Sequence, residues 1–563
     1  MNRLTQINYL QSYGGIAPPT PIKAASYVYD DLSRLTTAAN DAGTVGFTYD
    51  TRNRMKTTTD VFGHLIEYGY DANGNRSQLK LDGGVHTTYA YDVANRLMTL
   101  TDEASQNYTF GYDIANRLIS KTLPNSIATA YDYDGMSRLT RLKNQSSTAT
   151  LTDNNFSYNP ANQISQIAEL AQTKNFTYDT IDRLTTMTNG TANENYAFDA
   201  VGNRNSSHRS SSYSYQANNK LTSTQTANYS YDANGNMLSK SDATGYWIYG
   251  WNYENRMTTA RKQNKIVRYQ YDALGRRVSR QGKGVGATAK YTYDGLDVVL
   301  DEGSEGVVKY QNGLGIDNKL KMVANGNAKY FLQDHLGSTV GLTDSSGAVV
   351  SSANYDSYGN STNNLTTRYQ YTGREKDEFT GLNYYRARWY DANLGRFISE
   401  DPIGFEGDDI NLYGYVGNNS LAFKDPSGNL PFPVFKALVG AGAGIGGKLL
   451  AKMYDNWRCK KSLSDGMASW EFAGDLALAG AGGAFTGFLM GTGLGGSFAG
   501  SVLAGGTGSA AQYGLSVGFG RASYSRQGLI SNTALGAISG GVGYGLGGAL
   551  RMPASQPLKP YVL

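Results

Sequence analysis

The stretch Tyr91-Asp-Val-Ala-Asn-Arg-Leu97 recurs almost unchanged as Tyr112-Asp-Ile-Ala-Asn-Arg-Leu118 and again as Tyr178-Asp-Thr-Ile-Asp-Arg-Leu184. Its first two residues, or a close variant of them, return at steps of 16 to 25 residues. The copies begin at Tyr29, Tyr49, Tyr70, Tyr91, Tyr112, Tyr133, Tyr158, Tyr178, Phe198, Tyr215, Tyr231, Tyr253, Tyr271 and Tyr293. Such a regular spacing indicates one structural unit that is repeated along the chain and stacks on its neighbours.

Each repeat reads as a strand, a turn and a returning strand. The segment Tyr108-Thr-Phe110-Gly-Tyr112 alternates large and small or polar residues, which is the two-residue period of a strand with one buried face. The Asp that follows caps a turn, and Asn73-Gly74 and Asn234-Gly235 supply the positive φ of a tight hairpin. Because one hairpin cannot bury its apolar face alone, the pattern predicts a long antiparallel sheet that curls.

Composition agrees with a mainly β chain and excludes several kinds of site. The 563 residues include 43 Tyr and 68 Gly, and 17% are charged. Cys459 is the only cysteine, so neither an intramolecular disulfide nor a thiolate metal cluster is predicted. The histidines are scattered, at His64, His86, His208 and His335. We therefore predict no metal site, no cofactor and no Ser-His-Asp triad.

The regular Tyr-Asp repeats give way to other motifs at about residue 328. The chain there reads Tyr330-Phe-Leu-Gln-Asp-His335, then Gly381-Leu-Asn-Tyr-Tyr-Arg-Ala-Arg388-Trp-Tyr-Asp391. Two Asp-Pro-x-Gly motifs follow, beginning at Asp401 and Asp425. Taken alone, such a motif is a turn signal, so two structural turns are one interpretation of this pair.

Residues 24–428 resemble the YD repeats of Rhs proteins, of wall-associated relatives and of the C components of insecticidal Tc toxins. The part after residue 328 resembles the Rhs-associated core. The resemblance implies a mainly β fold, a spiral of antiparallel β-hairpin repeats that forms a partial or complete hollow shell around a C-terminal toxin. The domains that it implies are a lead-in or truncated repeat (1–23), a YD-repeat shell (24–327), a self-cleaving core (328–429) and a variable effector region (430–563).

The resemblance also gives the two Asp-Pro-x-Gly motifs a role. In the family, the corresponding pair of aspartates cuts the chain just after the second motif, which places the cut here close to the bond between Asn429 and Leu430. Many relatives have an apolar residue where this chain has Asn429. The resemblance implies that Asp401 and Asp425 lie close together and share a proton, as an acid–base pair of the aspartic-protease kind. The protease acts once, on its own chain.

An arginine supports the dyad in related Tc components, and Arg388 stands at the matching position, 13 residues before Asp401. A guanidinium beside the pair orients one carboxylate and favours its charged form. Arg386 and Arg396 are competing candidates for this role. A purely structural salt bridge is the alternative for each of the three.

The tail, residues 430–563, has a different composition. It holds 30 glycines, 10 Lys or Arg and 4 Asp or Glu, and residues 476–520 and 527–550 carry no charge. Each uncharged run is long enough to cross a bilayer as a helix, and glycines recur at four-residue steps from Gly483 to Gly495. We predict a mainly helical tail. A membrane-inserting or pore-forming toxin, a glycine-rich spacer and a soluble enzyme remain the three interpretations, and nucleic acid is not an expected partner.

The leading functional hypothesis is a polymorphic toxin of bacterial competition or host attack. The resemblance implies that the tail is the cargo of the shell, that a cognate immunity protein exists, and that type VI or similar secretion machinery delivers the chain to a target cell. Met1 to Ile7 begin no signal peptide, so we expect a non-classical route or a longer natural N-terminus. The alternatives are a cell-surface carbohydrate-binding adhesin and an inactive, displaced cassette.

Overall fold

The computed structural model describes residues 4–11, 20–313, 315–361, 365–407 and 409–429. In these ranges the chain forms three antiparallel sheets, and within each sheet every strand pairs with its neighbours in sequence. Leu430 and the tail with its predicted helices lie outside the described residues. Within the described ranges, no helix is both long and apolar enough to cross a membrane.

The first sheet contains 19 strands. They are β1 (Gln6–Gln11), β2 (Thr20–Tyr29), β3 (Leu35–Asn40), β4 (Gly43–Tyr49), β5 (Met55–Thr59), β6 (Leu65–Tyr70), β7 (Arg76–Leu81), β8 (Gly84–Tyr91), β9 (Leu97–Asp102), β10 (Asn107–Tyr112), β11 (Leu118–Thr122), β12 (Ala128–Tyr133), β13 (Leu139–Gln145), β14 (Thr150–Tyr158), β15 (Ile164–Ala168), β16 (Thr173–Tyr178), β17 (Leu184–Thr188), β18 (Glu194–Phe198) and β19 (Arg204–Ser207).

The second sheet contains 15 strands and the third contains four. The second comprises β20 (Tyr213–Gln216), β21 (Lys220–Thr224), β22 (Ala227–Tyr231), β23 (Met237–Asp242), β24 (Gly245–Trp251), β25 (Met257–Lys262), β26 (Lys265–Tyr271), β27 (Arg277–Lys283), β28 (Ala289–Asp294), β29 (Asp297–Gly303), β30 (Gly306–Asn312), β31 (Lys319–Ala324), β32 (Asn327–Gln333), β33 (Thr339–Thr343) and β34 (Val349–Ser352). The third comprises β35 (Glu375–Lys376), β36 (Asn383–Tyr385), β37 (Arg388–Asp391) and β38 (Arg396–Phe397). Short 3-10 helices span Ala217–Asn219, Tyr371–Gly373, Gly404–Gly407 and Val416–Asn418.

In most repeats an Asp holds the turn in the way that the sequence predicts, and Asn159 and Asn252 take its place in two of them. In the turn after β10, Asp113 Oδ1 accepts hydrogen bonds from the backbone N–H groups of Ala115 and Arg117, both at 2.9 Å. The Arg117 Nε donates to Asp113 Oδ2 at 2.7 Å. Asn116 adopts φ +64°, and Gly74 occupies the same left-handed position in its own repeat with φ +88°. The repeated Asp, Asn or Gly, and Arg are therefore parts of one turn.

Tyr and Arg join each hairpin to the next. The guanidinium of Arg117 lies 4.8 Å from the ring centroid of Tyr133 in the following repeat, and the Tyr133 hydroxyl donates to the carbonyl oxygen of Leu118 at 2.9 Å. The same cation–π contact joins Arg34 to Tyr49, Arg54 to Tyr70, Arg96 to Tyr112, Arg138 to Tyr158, and Arg183 to Phe198. Stacking thus depends on the residues that recur in the sequence.

The second sheet runs alongside the first. Arg76 and Asp294, which are 218 residues apart in sequence, form an ion pair of 2.7 Å. Lys321 pairs with Asp102, and the Tyr27 hydroxyl donates to Ala273 O at 2.9 Å. Such contacts between distant repeats are those of successive turns of one spiral. The predicted mainly β spiral of antiparallel hairpin repeats is confirmed.

The segment after β34 packs on the second sheet with few regular elements. Trp389 and Ile398 are 1% and 0% exposed and join one core cluster with Met257 and Tyr269 from the repeat strands. The backbone N–H of Met237 donates to the carbonyl oxygen of Ile398 at 2.9 Å. These contacts fix β37 and β38 against the repeats, and the candidate site is built on these two strands.

Candidate functional site

The site begins with Arg388, the first residue of β37. Its neighbour Trp389 is fully buried, so the backbone at this point is anchored in the core. The guanidinium of Arg388 lies 3.7 Å from the ring centroid of Phe397 on β38. Stacking on an aromatic ring leaves the in-plane N–H groups of the guanidinium free to donate at its edges.

Both Asp-Pro-x-Gly motifs form turns. In the first, the backbone N–H of Ile403 donates to Asp401 Oδ1 at 3.0 Å. In the second, the backbone N–H of Gly428 donates to Asp425 Oδ1 at 2.9 Å. Gly428 adopts φ +74°, and a Cβ atom there would lie 2.3 Å from Tyr385 O, so only glycine fits. Both motifs therefore form turns, and these turns direct both carboxylates towards one point.

That point is the guanidinium of Arg388. Its Nη2 lies 2.9 Å from Asp401 Oδ2 and 3.4 Å from Asp425 Oδ2. Its Nη1 donates to Leu412 O at 3.0 Å, and its Nε donates to the carbonyl oxygen of Gly428. One buried arginine thus holds two carboxylates and the backbone next to Asn429 in a single arrangement.

The environment of Asp401 favours its protonated form. Burial raises the pKa of Asp401 to about 7, although the positive charge of Arg388 opposes the shift. The negative charges of Asp425 and Asp409 raise the pKa further. Around neutral pH, Asp401 therefore exchanges a proton readily. Asp425 is held differently: its Oδ1 accepts hydrogen bonds from the Ser427 hydroxyl at 3.0 Å and from the backbone N–H groups of Gly428 and Asn429.

Asp409 is a third acidic residue at this site, and the sequence analysis missed it. It lines one cavity with Arg388, Asp401 and Asp425. Burial raises the pKa of Asp409, and its Oδ1 accepts a hydrogen bond from the backbone N–H of Asn411 at 2.8 Å. The segment around it reads as an ordinary acidic loop, so only its place in the fold marks it out.

The two competing arginines make other contacts. Arg386 Nη2 donates to Asp317 Oδ1 at 2.7 Å and to Leu296 O at 3.0 Å. Arg396 Nη2 donates to the carbonyl oxygen of Asn219 at 2.6 Å. Of the three candidate arginines, Arg388 alone has ion pairs with the aspartates of both motifs.

The described chain ends at Asn429, beside the site. Its backbone N–H donates to Asp425 Oδ1 at 3.3 Å and to the Ser427 hydroxyl at 3.1 Å. The backbone N–H of Ala387 donates to Ser427 O at 3.1 Å, which ties the last turn to the start of β37. The predicted cut after Asn429 therefore falls on a segment that is fixed by several hydrogen bonds up to its last described residue.

Within the described residues, no group of three or more His, Cys, Asp or Glu side chains is placed so that it could hold a metal ion. The histidines lie apart. His64 lies between Asp82 and Glu302, and His335 contacts Leu421 O. The chemistry that the site offers is acid–base chemistry by two carboxylates, with an arginine to position them.

Comparison with known proteins places this fold. The sequence model of the Teneurin YD-shell family matches residues 125–421, and the RHS repeat model matches residues 70–106 and 91–126. The tRNA3(Ser)-specific nuclease WapA of Bacillus spizizenii is 29% identical over 272 residues, which are 45% of this chain and 11% of that protein. Double-stranded DNA deaminase toxin A of Burkholderia cenocepacia is 26% identical over 274 residues, 42% of this chain and 19% of that protein.

Among solved structures, the crystal structure of TcdB2-TccC3-TEV matches 76% of this chain and 26% of that chain, with a TM-score of 0.60 and 19% identity. This likeness shows the fold. The chain covers less than a fifth of the length of the two curated relatives.

Proposed function

Because the chain belongs to the Teneurin YD-shell family, we propose that it is the shell-and-core part of a toxin that cuts itself after Asn429 and so releases the segment that follows. The core, residues 328–429, acts as an aspartic peptidase on its own chain. Asp401 and Asp425 perform the acid–base chemistry, and Arg388 positions them. Each molecule makes one cut.

One observation carries this proposal: a single guanidinium contacts both aspartates and the carbonyl oxygen of Gly428, one residue before the proposed cut. A pair of structural turns does not require their acidic side chains to meet. Burying two carboxylates around one arginine carries a desolvation cost that well-packed apolar residues avoid. Such an arrangement is typical of a functional site.

The proposed reaction is hydrolysis of the bond between Asn429 and Leu430. Asp401, protonated, donates a hydrogen bond to the Asn429 carbonyl oxygen and polarises it, while ionised Asp425 takes a proton from water. The resulting hydroxide adds to the Asn429 carbonyl carbon. The carbon–nitrogen bond then breaks, the Leu430 nitrogen leaves with a proton from the pair, and Asn429 keeps the new carboxylate.

The released segment, residues 430–563, is the cargo in this proposal. Its two long uncharged runs and its glycines at four-residue steps support a membrane-inserting effector over a soluble enzyme. A producing cell then needs an immunity protein against the cargo, and a secretion machine has to deliver the chain. The WapA nuclease and the DNA deaminase toxin are named for other activities. This chain matches only 11% and 19% of their lengths.

Intact mass spectrometry of the purified full chain tests the self-cleavage. The wild type is expected to yield a fragment that ends at Asn429 and a second that starts at Leu430. Asp401→Asn and Asp425→Asn are each expected to stay whole, because either change removes one partner of the acid–base pair. Asp344→Asn is a matched control, since Asp344 caps a hairpin turn and does not line the cavity.

A wild-type chain that stays whole after folding contradicts the proposal, and an adhesin or an inactive cassette then becomes the better account. Cleavage that persists in both aspartate variants contradicts the dyad, since it assigns the cut to another protease. Circular dichroism of the variants, compared with the Asp344→Asn chain, checks that a whole chain is also a folded chain.

A further inference from the structure

Two large apolar side chains are exposed beside the candidate site. Phe405 and Ile410 are 71% and 62% exposed, whereas the aromatic residues of the neighbouring core are almost all buried. They stand within six residues of each other on the loop that follows Asp401. Two large exposed apolar side chains on one loop beside a cavity are typical of a surface that binds another segment.

This pair, the Phe405/Ile410 patch, borders the cavity that holds the two aspartates. Gly404, Gly407 and Asp409, the chain neighbours of the patch, line that cavity with Asp401. A Cβ atom on Gly407 would lie 3.4 Å from Asp401 Oδ2. The patch is therefore at the edge of the site, on the loop that carries one of its carboxylates.

The chain itself provides a segment that fits the patch. Directly after Asn429 it reads Leu430-Pro-Phe-Pro-Val-Phe435, six residues without a charge. Each proline restricts the residue before it to an extended conformation, so this sequence favours an extended strand. Extended, six residues reach about 20 Å. The Asn429 amide is already bound to Asp425, so the segment starts within the site.

We propose that the Phe405/Ile410 patch binds residues 430–435 of the same chain, and so holds the leaving side of the proposed scissile bond in the cavity. The role of this contact at the scissile bond rests on the proposed function, but residues 430–435 can bind the patch whether or not the chain is cut. The loop that carries Phe405 and Ile410 then makes the site specific for an apolar, proline-containing sequence after the cut. Arg388 and Asp425 hold the other side, through the carbonyl of Gly428 and the amide of Asn429.

Photo-crosslinking from position 405 tests the contact. Benzoylphenylalanine replaces Phe405 in the full Asp401→Asn chain, which keeps residue 430 attached whether or not the dyad is active. Crosslinked peptides are identified by mass spectrometry after digestion. The expected result is a crosslink within one molecule to residues 430–435. None to that segment is expected from benzoylphenylalanine at Ile114, which is fully exposed in the turn between β10 and β11.

The proposal is overturned if position 405 crosslinks only to a second copy, only to residues beyond 435, or not at all.

The rate of self-cleavage gives a second readout. The double variant Phe405→Ser and Ile410→Ser is expected to cut about tenfold more slowly than Val93→Ser with Ile114→Ser, since it loses the burial of two apolar side chains. An equal rate in both chains counts against the patch. A wild type that never cuts refutes the proposed function, and the crosslink still decides the docking.

Discussion

Self-cleavage is expected to slow as the pH rises through 7. Burial raises the pKa of Asp401 to about 7, and the proposed mechanism uses this residue in its protonated form. Two pH units above the pKa, about one molecule in a hundred is protonated, so the rate at pH 9 should be roughly 100-fold below its plateau at pH 5 to 6. The decline should reach tenfold per pH unit above about pH 8.

The assay starts from uncut chain kept unfolded in urea and diluted into buffers between pH 5 and pH 9. Samples are quenched in acid, and the whole and cut chains are measured by intact mass. Tryptophan fluorescence records folding in parallel, so that slow folding is separated from slow cleavage. A rate that is flat from pH 6 to pH 9, or that rises, refutes the assignment of Asp401 as the protonated partner.

The same shift has a consequence for stability, and its sign is opposite to that of a salt-bridged carboxylate. The folded pKa of Asp401 is above the unfolded value, so the folded state binds more protons, and the folded chain loses stability as the pH rises from about 4 to 7. The full cost is about 4 kcal/mol above pH 7, of which about 3 kcal/mol develops above pH 5. Asp401→Asn removes this dependence, so its unfolding free energy, measured with urea, should gain about 3 kcal/mol relative to wild type between pH 5 and pH 8.

Three further predictions concern other charged groups. Asp409→Asn removes a negative charge that raises the pKa of Asp401, so the midpoint of the cleavage profile should move to lower pH, and an unmoved midpoint contradicts this coupling. Glu375→Gln removes the carboxylate partner of buried Arg277 and one of the two carboxylate partners of Arg368, so urea denaturation should show a loss of about 3 to 5 kcal/mol. Burial opposes protonation of His64, but hydrogen bonds to Asp82 and Glu302 outweigh it and raise the pKa. Glu302→Gln should lower that pKa in an NMR titration. The stability from the two bridges should be present in acid and lost as the pH rises through the folded pKa, and it should be smaller in the variant, which keeps only Asp82.

The fold could be predicted because its determinants are local. The Asp113 turn closes through residues two and four positions away, and Arg117 reaches the next repeat's Tyr133. A turn and its nearest neighbour depend on residues within about one repeat, so the sequence pattern by itself indicates the hairpins and their stacking. The pairing of Arg76 with Asp294, 218 residues away, depends on how strongly the sheet curls, and no local pattern encodes that curvature.

The candidate site divides in the same way. The sequence predicts turns at the two Asp-Pro-x-Gly motifs, because Asp, Pro and Gly each favour a backbone conformation that occurs in turns. The choice of Arg388 over Arg386 and Arg396 came from a resemblance, and the sequence left the three open. The folded structure distinguishes these arginines by their neighbours. Arg386 lies beside Asp317, whereas Arg388 lies beside both Asp401 and Asp425.

The amino-acid sequence by itself determined the repeated hairpin, the residues that close each turn, and the places of the two motifs, since each of these depends on neighbours in the chain. Only the tertiary structure decided that Asp401 and Asp425 share one guanidinium, that Asp409 joins them, and that the pKa of Asp401 rises to about 7. The reason is physical. Desolvation and charge–charge interaction act through space over a few ångströms, and the residues involved come together only when the chain has folded.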